Sequence, residues 1–380
     1  MKPWVLVAGD VTPLGGMDRA NYALATYLAT QRRVHIVTHR AWPALTTNAN
    51  VTCHPVKRPL GSHVLGRLPL ASIGRRVAKA VRREGGRTVV NGANCAFDDI
   101  NWLHIVHNAY TAPAHGSAAR RARIVVQHRL DQMTERRRVR RARLVVCNSL
   151  KTARDAARYI GVDPARLRTC YLGVDPSLFP AVTAEERIAA RQSLGVSPNA
   201  PVVLFVGQLH NSIKNFDTLF AAFGRLCESN DWDAVLLAAG DPGGAYWPAR
   251  VSAAGLGERV RLLGPRQDVP ALLAAADLLV LPSRYDSYGL AAHEAICRGV
   301  PALISQHAGA SERLSGAVED FVLNDIENVA AFADRLKQWR ADIDSSRARF
   351  ATLSQQLRSW TWDHMAAEIV RLADEAGDGD

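Results

Sequence analysis

The sequence predicts an α/β protein built on parallel sheets, and three observations carry that expectation. Short apolar runs at 4–9 (WVLVAG), 144–148 (LVVCN) and 277–281 (DLLVL) have the length and continuity of strands buried on both faces. Stretches of helical character alternate with such runs along the chain. The segment 281–305, LPSRYDSYGLAAHEAICRGVPALIS, reads as a strand end, a polar turn, a helix and the next strand. In open α/β sheets, ligands sit where such strands end and such helices begin. With 380 residues the chain is too long for one ordinary domain, and two of roughly 180 residues are expected.

Bulk composition narrows the function classes. A hydrophobic content of 48% with 22% charged residues is that of a globular protein with ample core. No run approaches the ~18 to 20 consecutive apolar residues of a membrane span. The N-terminus, MKPWVLVAGD, looks like a first buried strand and not a signal peptide, because Asp10 and Asp18 interrupt it early. Cys53, Cys95, Cys147, Cys170, Cys227 and Cys297 are widely spread with no C-x-x-C pair. They read as buried small residues in a reducing cytoplasm, not as disulfides or a zinc site. Residues 1–180 hold 29 Lys+Arg against 10 Asp+Glu, and the remainder holds 18 against 26. Only the first half is therefore expected to meet an anionic surface.

After the first strand comes the turn TPLGGMDR, where Gly15 and Gly16 let backbone approach a ligand closely. It is not G-x-G-x-x-G, so the dinucleotide fingerprint is absent. A helix over 20–29 and strands over 34–38 and 50–56 follow. An amphipathic helix within 60–84 carries Arg75, Arg76, Lys79, Arg82 and Arg83 on its outer face. Short strands are expected over 88–90 and 103–107, the second ending at His107. His104 lies three residues earlier and points to the opposite face of a regular strand, which argues against a shared metal site. Residues 118–143 place arginines around a few apolar positions, among them Ile124, Val126, Leu130 and Met133. Two readings stay open there: a solvated basic face, or contact with an anionic lipid surface or a phosphate-bearing acceptor. Nucleic acid is not expected, since no recognition module appears and the run lacks aromatics. The strand over 144–148 then leads through Ser149 into a helix over 151–159.

The second half opens with PVVLFVGQLHNSIKNFDTLFAAF, a buried strand to Gly207, a polar turn with Lys214, and a helix from Phe216. A lysine at the carboxyl end of a strand, in front of a helix N-terminus, suits a diphosphate. Strands over 234–240 and 260–264 and a helix over 269–275 lead into the segment 281–305. Asp231 and Asp233 form a D-x-D that precedes its strand, so it lies at the amino end of the sheet, away from the crevice. Asp286 falls in the turn and Glu294 about one helical turn inside the helix, so both can face one crevice. Carboxylates accept hydrogen bonds from the paired hydroxyls of a sugar or ribose. The N–H groups of Ser287, Tyr288, Gly289 and Leu290, at a helix N-terminus, favour an anion. The tail over 327–376 is helical by pattern.

The segment 281–305 resembles the acid-x7-acid signature of retaining glycosyltransferases of the GT-B fold, family four, with PS…YGL…EA…G-P around it. The likeness extends to the Gly15–Gly16 turn, the GVD-x-x-x-F of residues 173–179, Lys214, the loop QHAGASE and the closing segment SWTWDHMAAEIV. Three positions depart from the family pattern: Asp286 stands where Glu is usual, Gln208 where Arg is usual, and Leu172 where Asn is usual. The resemblance implies two Rossmann-like domains facing across a cleft, an acceptor-binding one over 1–180 and a nucleotide-sugar-binding one over 181–358. A C-terminal helix over 359–380 would cross back to the first. It implies transfer of a sugar from a UDP- or GDP-linked donor to an acceptor hydroxyl with retention, without a metal or other cofactor. Lys214 and Gln208 would face the diphosphate, Glu294 the ribose, and Asp286 and His107 the sugar. Gly15, Gly16, Gly264, Arg266, Ser287, Tyr288, Gly289 and Leu290 would line the donor. The acceptor expected is a glycan or lipid-linked glycan of bacterial polysaccharide or lipopolysaccharide assembly. The enzyme would be cytoplasmic or peripheral on the anionic inner face of the membrane, through its basic first domain. An epimerase, a phosphorylase or a non-catalytic nucleotide-sugar-binding protein shares the architecture and stays open.

Overall fold

The computed structural model describes residues 1–111 and 118–377. It divides into two compact units, Met1–Gly173 with Thr361–Asp380, and Val174–Trp360. The first unit runs β1 (Trp4–Val7), β2 (Asp10–Val11), α1 (Met17–Ala29), β3 (Val34–Thr38), β4 (Arg40–Ala41), α2 (Pro43–Thr46) and β5 (Val51–Pro55). It continues through α3 (His63–Arg83), β6 (Arg87–Asn91), β7 (Ile100–Leu103), α4 (Ala118–Val139), β8 (Leu144–Cys147), α5 (Leu150–Asp155) and β9 (Leu167–Thr169). Seven strands form one parallel sheet in the order β5-β3-β1-β6-β7-β8-β9, while β2 and β4 pair apart. The central strands β1, β7 and β8 are buried at every position, which is why β1 and β8 read as unbroken apolar runs and not as alternating ones; β7 carries the buried polar Asn101.

The strand expected over 103–107 lies three residues earlier, at Ile100–Leu103. Asp99 sets its start: its carboxylate accepts the Thr88 N–H at 2.6 Å, and its carbonyl accepts the N–H groups of Arg143 and Leu144. Beyond Leu103 the chain leaves the ladder because the N–H groups of His107 and Asn108 turn to the Glu135 carboxylate, at 3.0 and 3.2 Å. His107 opens a single 3-10 turn (His107–Ala109). Helix α4 covers most of the basic segment 118–143 and closes at Val139.

The second unit runs α6 (Ala184–Ser193), β10 (Val202–Val206), α7 (Phe216–Cys227), β11 (Val235–Ala239), α8 (Tyr246–Ala253), β12 (Val260–Gly264) and α9 (Val269–Ala275). Then come β13 (Leu278–Leu281), α10 (Leu290–Cys297), β14 (Ala302–Ser305), β15 (Val322–Leu323), α11 (Val329–Ala341) and α12 (Ile343–Ser359). Its six strands are parallel in the order β12-β11-β10-β13-β14-β15. Phe205, Phe216 and Trp247 form the aromatic centre of its core, with Phe216 and Trp247 edge to face at 4.7 Å. At the amino end of the sheet the buried Asp277 accepts the Val202 N–H at 2.8 Å and a guanidinium N–H of Arg191 at 2.6 Å. Arg187 and Arg347 complete its neutralisation.

The chain crosses between units twice, and the boundaries differ from those expected at 180 and 358. Val174 and Phe179 are buried in the core of the second unit, and the Val174 N–H donates to the Trp360 carbonyl at 3.1 Å. The first unit therefore closes at Gly173 and the second at Trp360. The final helix, α13 (Trp362–Glu375), returns to the first unit and packs on α1. Its face of Met365, Ala366, Ile369 and Leu372 is buried. Thr361 caps it, accepting the His364 N–H at 3.3 Å. Among the described residues no helix is long and apolar enough to cross a membrane.

In each sheet the strand order reverses beside the strand that comes first, at β1/β6 and at β10/β13. Connections leave such a point in opposite directions and open a crevice at the carboxyl ends of the two strands.

Candidate functional site

The crevice of the second unit lies between the loops that follow β10 and β13. Its floor is bare backbone. The Gly207 N–H donates to the Ala239 carbonyl at 2.9 Å, and the Gly240 N–H to the Gly264 carbonyl at 2.8 Å, so three strand ends are stitched side by side. Gly240 has φ +148, and a Cβ there would lie 1.7 Å from the Gly207 oxygen, so no side chain fits. Gln208 follows, exposed, its side-chain oxygen 3.4 Å from the Asn211 amide nitrogen. The Trp247 indole N–H anchors the loop on the Leu209 carbonyl at 2.9 Å. A 3-10 turn (Ser212–Lys214) then reaches Asn215, a non-glycine residue at φ +56. That conformation costs about 1 kcal/mol or more. It is offset by the buried Asn215 amide, which donates to the Ile326 carbonyl at 3.1 Å and accepts the Thr218 hydroxyl at 2.7 Å.

Across the crevice stands Asp286, and Lys214 Nζ lies 2.7 Å from its Oδ2. Both side chains keep an open face, at 28% and 16% exposure. Asp286 is held by its neighbours: its N–H donates to the His307 carbonyl, its carbonyl accepts the Gly309 N–H, and its other carboxylate oxygen accepts the Tyr288 N–H at 3.3 Å. The Tyr288 phenol turns inward, 2.6 Å from His293 Nδ1, so only Tyr288 backbone borders the crevice. Gly289 takes φ +97 ahead of α10, and a Cβ there would meet Leu281 Cδ2 at 2.5 Å. Ser287 and Leu290 flank this turn, and Glu294 lies further along α10, buried. Arg284 ties the two loops together. Its N–H donates to the Ile213 carbonyl, and its guanidinium to the Ser212 carbonyl, to both oxygens of Asp217 and to both of Glu327. The hydrogen bond to Glu327, then that to Asp217, hold its pKa above the ordinary guanidinium value. Arg266, past the end of β12, is exposed and held by a bidentate pair with Asp268.

The first unit carries a second cluster, where the sequence pointed to His107. His107 Nδ1 lies 2.9 Å from the Tyr110 hydroxyl, and the Gln132 amide donates to the His107 carbonyl at 3.1 Å. The buried Glu135 accepts from Asn108 Nδ2 at 2.8 Å as well as from two backbone N–H groups. Burial is the main cause that lowers the His107 pKa to about 4, so the ring is neutral near pH 7. Gly15, at φ +74, and Gly16 lie in the loop ahead of α1, and a Cβ on Gly15 would meet nothing within 4 Å. In the first turn of that helix, burial and then Asp10 push Asp18 up to about 6. Asp10 itself pairs with Arg40 at 3.0 Å and with Arg58.

Two family models match the chain: one described as glycosyltransferase family 4 over residues 14–178, the other as glycosyl transferases group 1 over 200–342. The chain belongs to glycosyltransferase family four. It is 27% identical to a D-inositol 3-phosphate glycosyltransferase of Corynebacterium diphtheriae, over 73% of this chain and 65% of the relative. A protein of the same description from a Mycobacterium species (strain KMS) is 30% identical, over 72% of this chain and 62% of the relative. The matches thus leave about a third of those relatives' length uncovered. Among solved structures, WaaG, a glycosyltransferase involved in lipopolysaccharide biosynthesis, aligns with TM-score 0.72 at 19% identity, over 96% of this chain and 99% of WaaG. Sucrose-phosphate synthase from Thermosynechococcus elongatus aligns with TM-score 0.78 at 18% identity over the full length of both chains. Anabaena HepE in complex with UDP-glucose aligns with TM-score 0.71 at 19% identity, over 98% of this chain and 99% of HepE. These likenesses show the fold, which is GT-B.

In this family-four chain the switch point of the second unit brings Lys214 and Asp286 into contact, and the turn 287–290 follows Asp286 directly in the chain. Gln208 follows the end of β10, and Gly264 ends β12, two strands from β10. Gly15, Gly16 and His107 belong to the first unit. Sequence reasoning missed Arg284, Asn215 and Glu135. Arg284 pairs with residues 67 and 43 positions away, which no local pattern announces. Asn215 has one legible signal: Asn tolerates the left-handed conformation better than other non-glycine residues.

Proposed function

We propose that the chain moves a sugar from a nucleotide diphosphate sugar to an acceptor hydroxyl with retention of anomeric configuration. The observation that carries this reading is the Lys214–Asp286 pair across the β10/β13 switch point. A diphosphate arriving over the glycine-lined floor meets the Lys214 ammonium and the N–H groups at the start of α10, and the Asp286 carboxylate is left to accept sugar hydroxyls. Glu294 takes the ribose hydroxyls. Gln208 donates hydrogen bonds but no charge, so neutralisation of the leaving diphosphate falls on Lys214. Arg284 positions Lys214 by holding the carbonyls of its turn. The bond from the anomeric carbon to the diphosphate breaks, the acceptor oxygen bonds on the same face, and its proton passes to the departing phosphate oxygen.

For the acceptor we propose a lipid-linked glycan at an anionic membrane surface, supported by the concentration of basic residues in 1–180. The second reading is a soluble phosphorylated polyol, favoured by the likeness to D-inositol 3-phosphate glycosyltransferases at 27–30% identity. Thermal unfolding with UDP, GDP, ADP and TDP and their common sugars tests the donor. A ligand at about 100-fold its Kd adds roughly 2.7 kcal/mol, a shift of several degrees. A shift with one base is expected; no shift with any would replace the enzyme reading with the non-catalytic one. Radiolabelled transfer to lipid extract against D-inositol 3-phosphate then separates the two acceptors, by whether the label enters the organic phase.

A further inference from the structure

Leu65 and Leu68 on α3, and Val126, Leu130 and Met133 on α4, stand in solvent, Leu68 at 74% and Met133 at 70% exposure. Helical spacing puts Val126, Leu130, Met133 and Arg137 on one stripe of α4, with Arg141 just past its end. Leu68, Ala71 and Arg75 form the matching stripe of α3. Along both stripes the apolar residues come first and the arginines last. The ion pair of Arg67 with Asp131 ties the two helices together near the apolar end.

Between the stripes lies a cavity of about 390 Å³, lined among others by Arg75, Arg137, Arg138, Arg141, Leu130 and Met133. Arg138 is fixed there, donating to the carbonyls of Ala93 and Asn94 at 2.6 and 3.1 Å. Among the described residues no carboxylate pairs with Arg75, Arg137 or Arg141. Burial lowers the Arg138 pKa, and the charges of Arg67, Arg75 and Arg137 push the same way. Several guanidiniums therefore crowd one end of a groove whose other end is apolar and exposed. Guanidiniums take phosphate oxygens in bidentate fashion, and exposed Leu and Met favour alkyl chain over water. A soluble phosphate ester would use only half of such a groove. A nucleic acid would find no aromatic platform among the lining residues.

We infer that the α3–α4 groove is a head-group site for a phosphate-bearing lipid at a membrane surface. The phosphate is held by Arg75, Arg137 and Arg141, and the chain lies along Leu130, Met133 and Leu68. This rests on the membrane-surface reading of the acceptor and deepens it, from a diffuse basic face to one site.

Vesicle flotation of the full chain tests it, with phosphatidylcholine vesicles, with vesicles that also hold phosphatidic acid, and with the latter plus excess glycerol 3-phosphate. Recovery is expected only with phosphatidic acid, and glycerol 3-phosphate is expected to compete poorly. The Arg75→Gln/Arg137→Gln/Arg141→Gln variant is expected to bind about a hundredfold more weakly. An equal loss of charge on other faces, Arg76→Gln/Arg83→Gln/Arg158→Gln, is expected to change binding less than about threefold. Leu130→Ser/Met133→Ser is expected to weaken it as well, and a melting curve of each variant confirms folding. Equal losses in both triple variants would overturn the site in favour of diffuse charge. Full competition by glycerol 3-phosphate would reassign it to a soluble phosphate ester, and unchanged binding in the groove variant would remove it. None of these outcomes bears on the nucleotide-dependent thermal shift, which tests the transfer reading separately.

Discussion

Lys214 holds Asp286 at 2.7 Å, so neither side chain is free until something anionic competes for the ammonium. Lys214→Ala should therefore lower kcat by about 10²–10³, the usual cost of removing one preorganised charge from a developing anion. Its melting midpoint should stay within a few degrees, since a partly exposed pair contributes about 1 kcal/mol or less. Turnover measured beside a melting curve checks both, and unchanged kcat would sink the electrostatic role. Two deeply buried histidines of the first unit contribute to the response to acid, beside His35 and His54, whose pKa burial also lowers. Burial lowers His104 to about 3 and His107 to about 4, and among the described residues no hydrogen-bond partner reaches either ring nitrogen of His104. The native state keeps both rings neutral, whereas the unfolded chain binds protons near 6.5. Their stability contribution is thus full above about pH 6.5 and lost as pH falls toward 4 and then 3, by at most ~1.4 kcal/mol per pH unit for each ring. In His104→Phe the fall of the melting midpoint between pH 6.5 and 4.5 should be smaller than in the wild type. An identical pH slope in the variant would clear His104.

At the scale of elements, the crevice depends on two backbone positions and one tie. Gly289 combines φ +97 with a Cβ site 2.5 Å from Leu281 Cδ2, so any side chain strains the turn and presses on β13. Gly289→Ala should cost ~1–3 kcal/mol and lower the midpoint by several degrees. Differential scanning calorimetry reads this, and a midpoint at the wild-type value would mean the turn relaxes freely. Arg284→Met removes the tie between the Lys214 turn and Glu327 while keeping most of the side-chain volume. Hydrogen exchange at residues 212–215 should speed up, and KM for the donor should rise several-fold, with kcat affected less. Unchanged exchange would show that Asn215 alone holds the turn.

For the whole molecule, the decisive feature is that the last helix belongs to the first unit. α13 buries Met365, Ile369 and Leu372 on the side of α1, each contributing ~1.5–3 kcal/mol. Together that rivals the ~5–15 kcal/mol stability of a typical domain. A chain ended at Trp360 should lose protection throughout residues 1–173 in hydrogen exchange. Residues 174–360 should keep their protection and their nucleotide-dependent thermal shift. Uniform protection in both parts would show that the first unit stands without its closing helix.

Most strands and helices were legible because they are local: β1, β8, β10 and β13 are continuous apolar runs, and β12 and α9 fall at the expected residues. β7 was misplaced because its start is set by Asp99 and its end by Glu135, which lies 28 residues beyond His107. The acid-x7-acid turn marked the segment around which the candidate site is built. What sequence alone determined is thus the set of elements and the residue types at their ends, since both follow from period and turn chemistry within a few residues. The order of strands, the reversal at β10/β13, and the contact of Lys214 with Asp286, 72 positions apart, were decided only by tertiary structure. Those depend on which buried faces pack together, a long-range free-energy balance that no local stretch of the chain encodes.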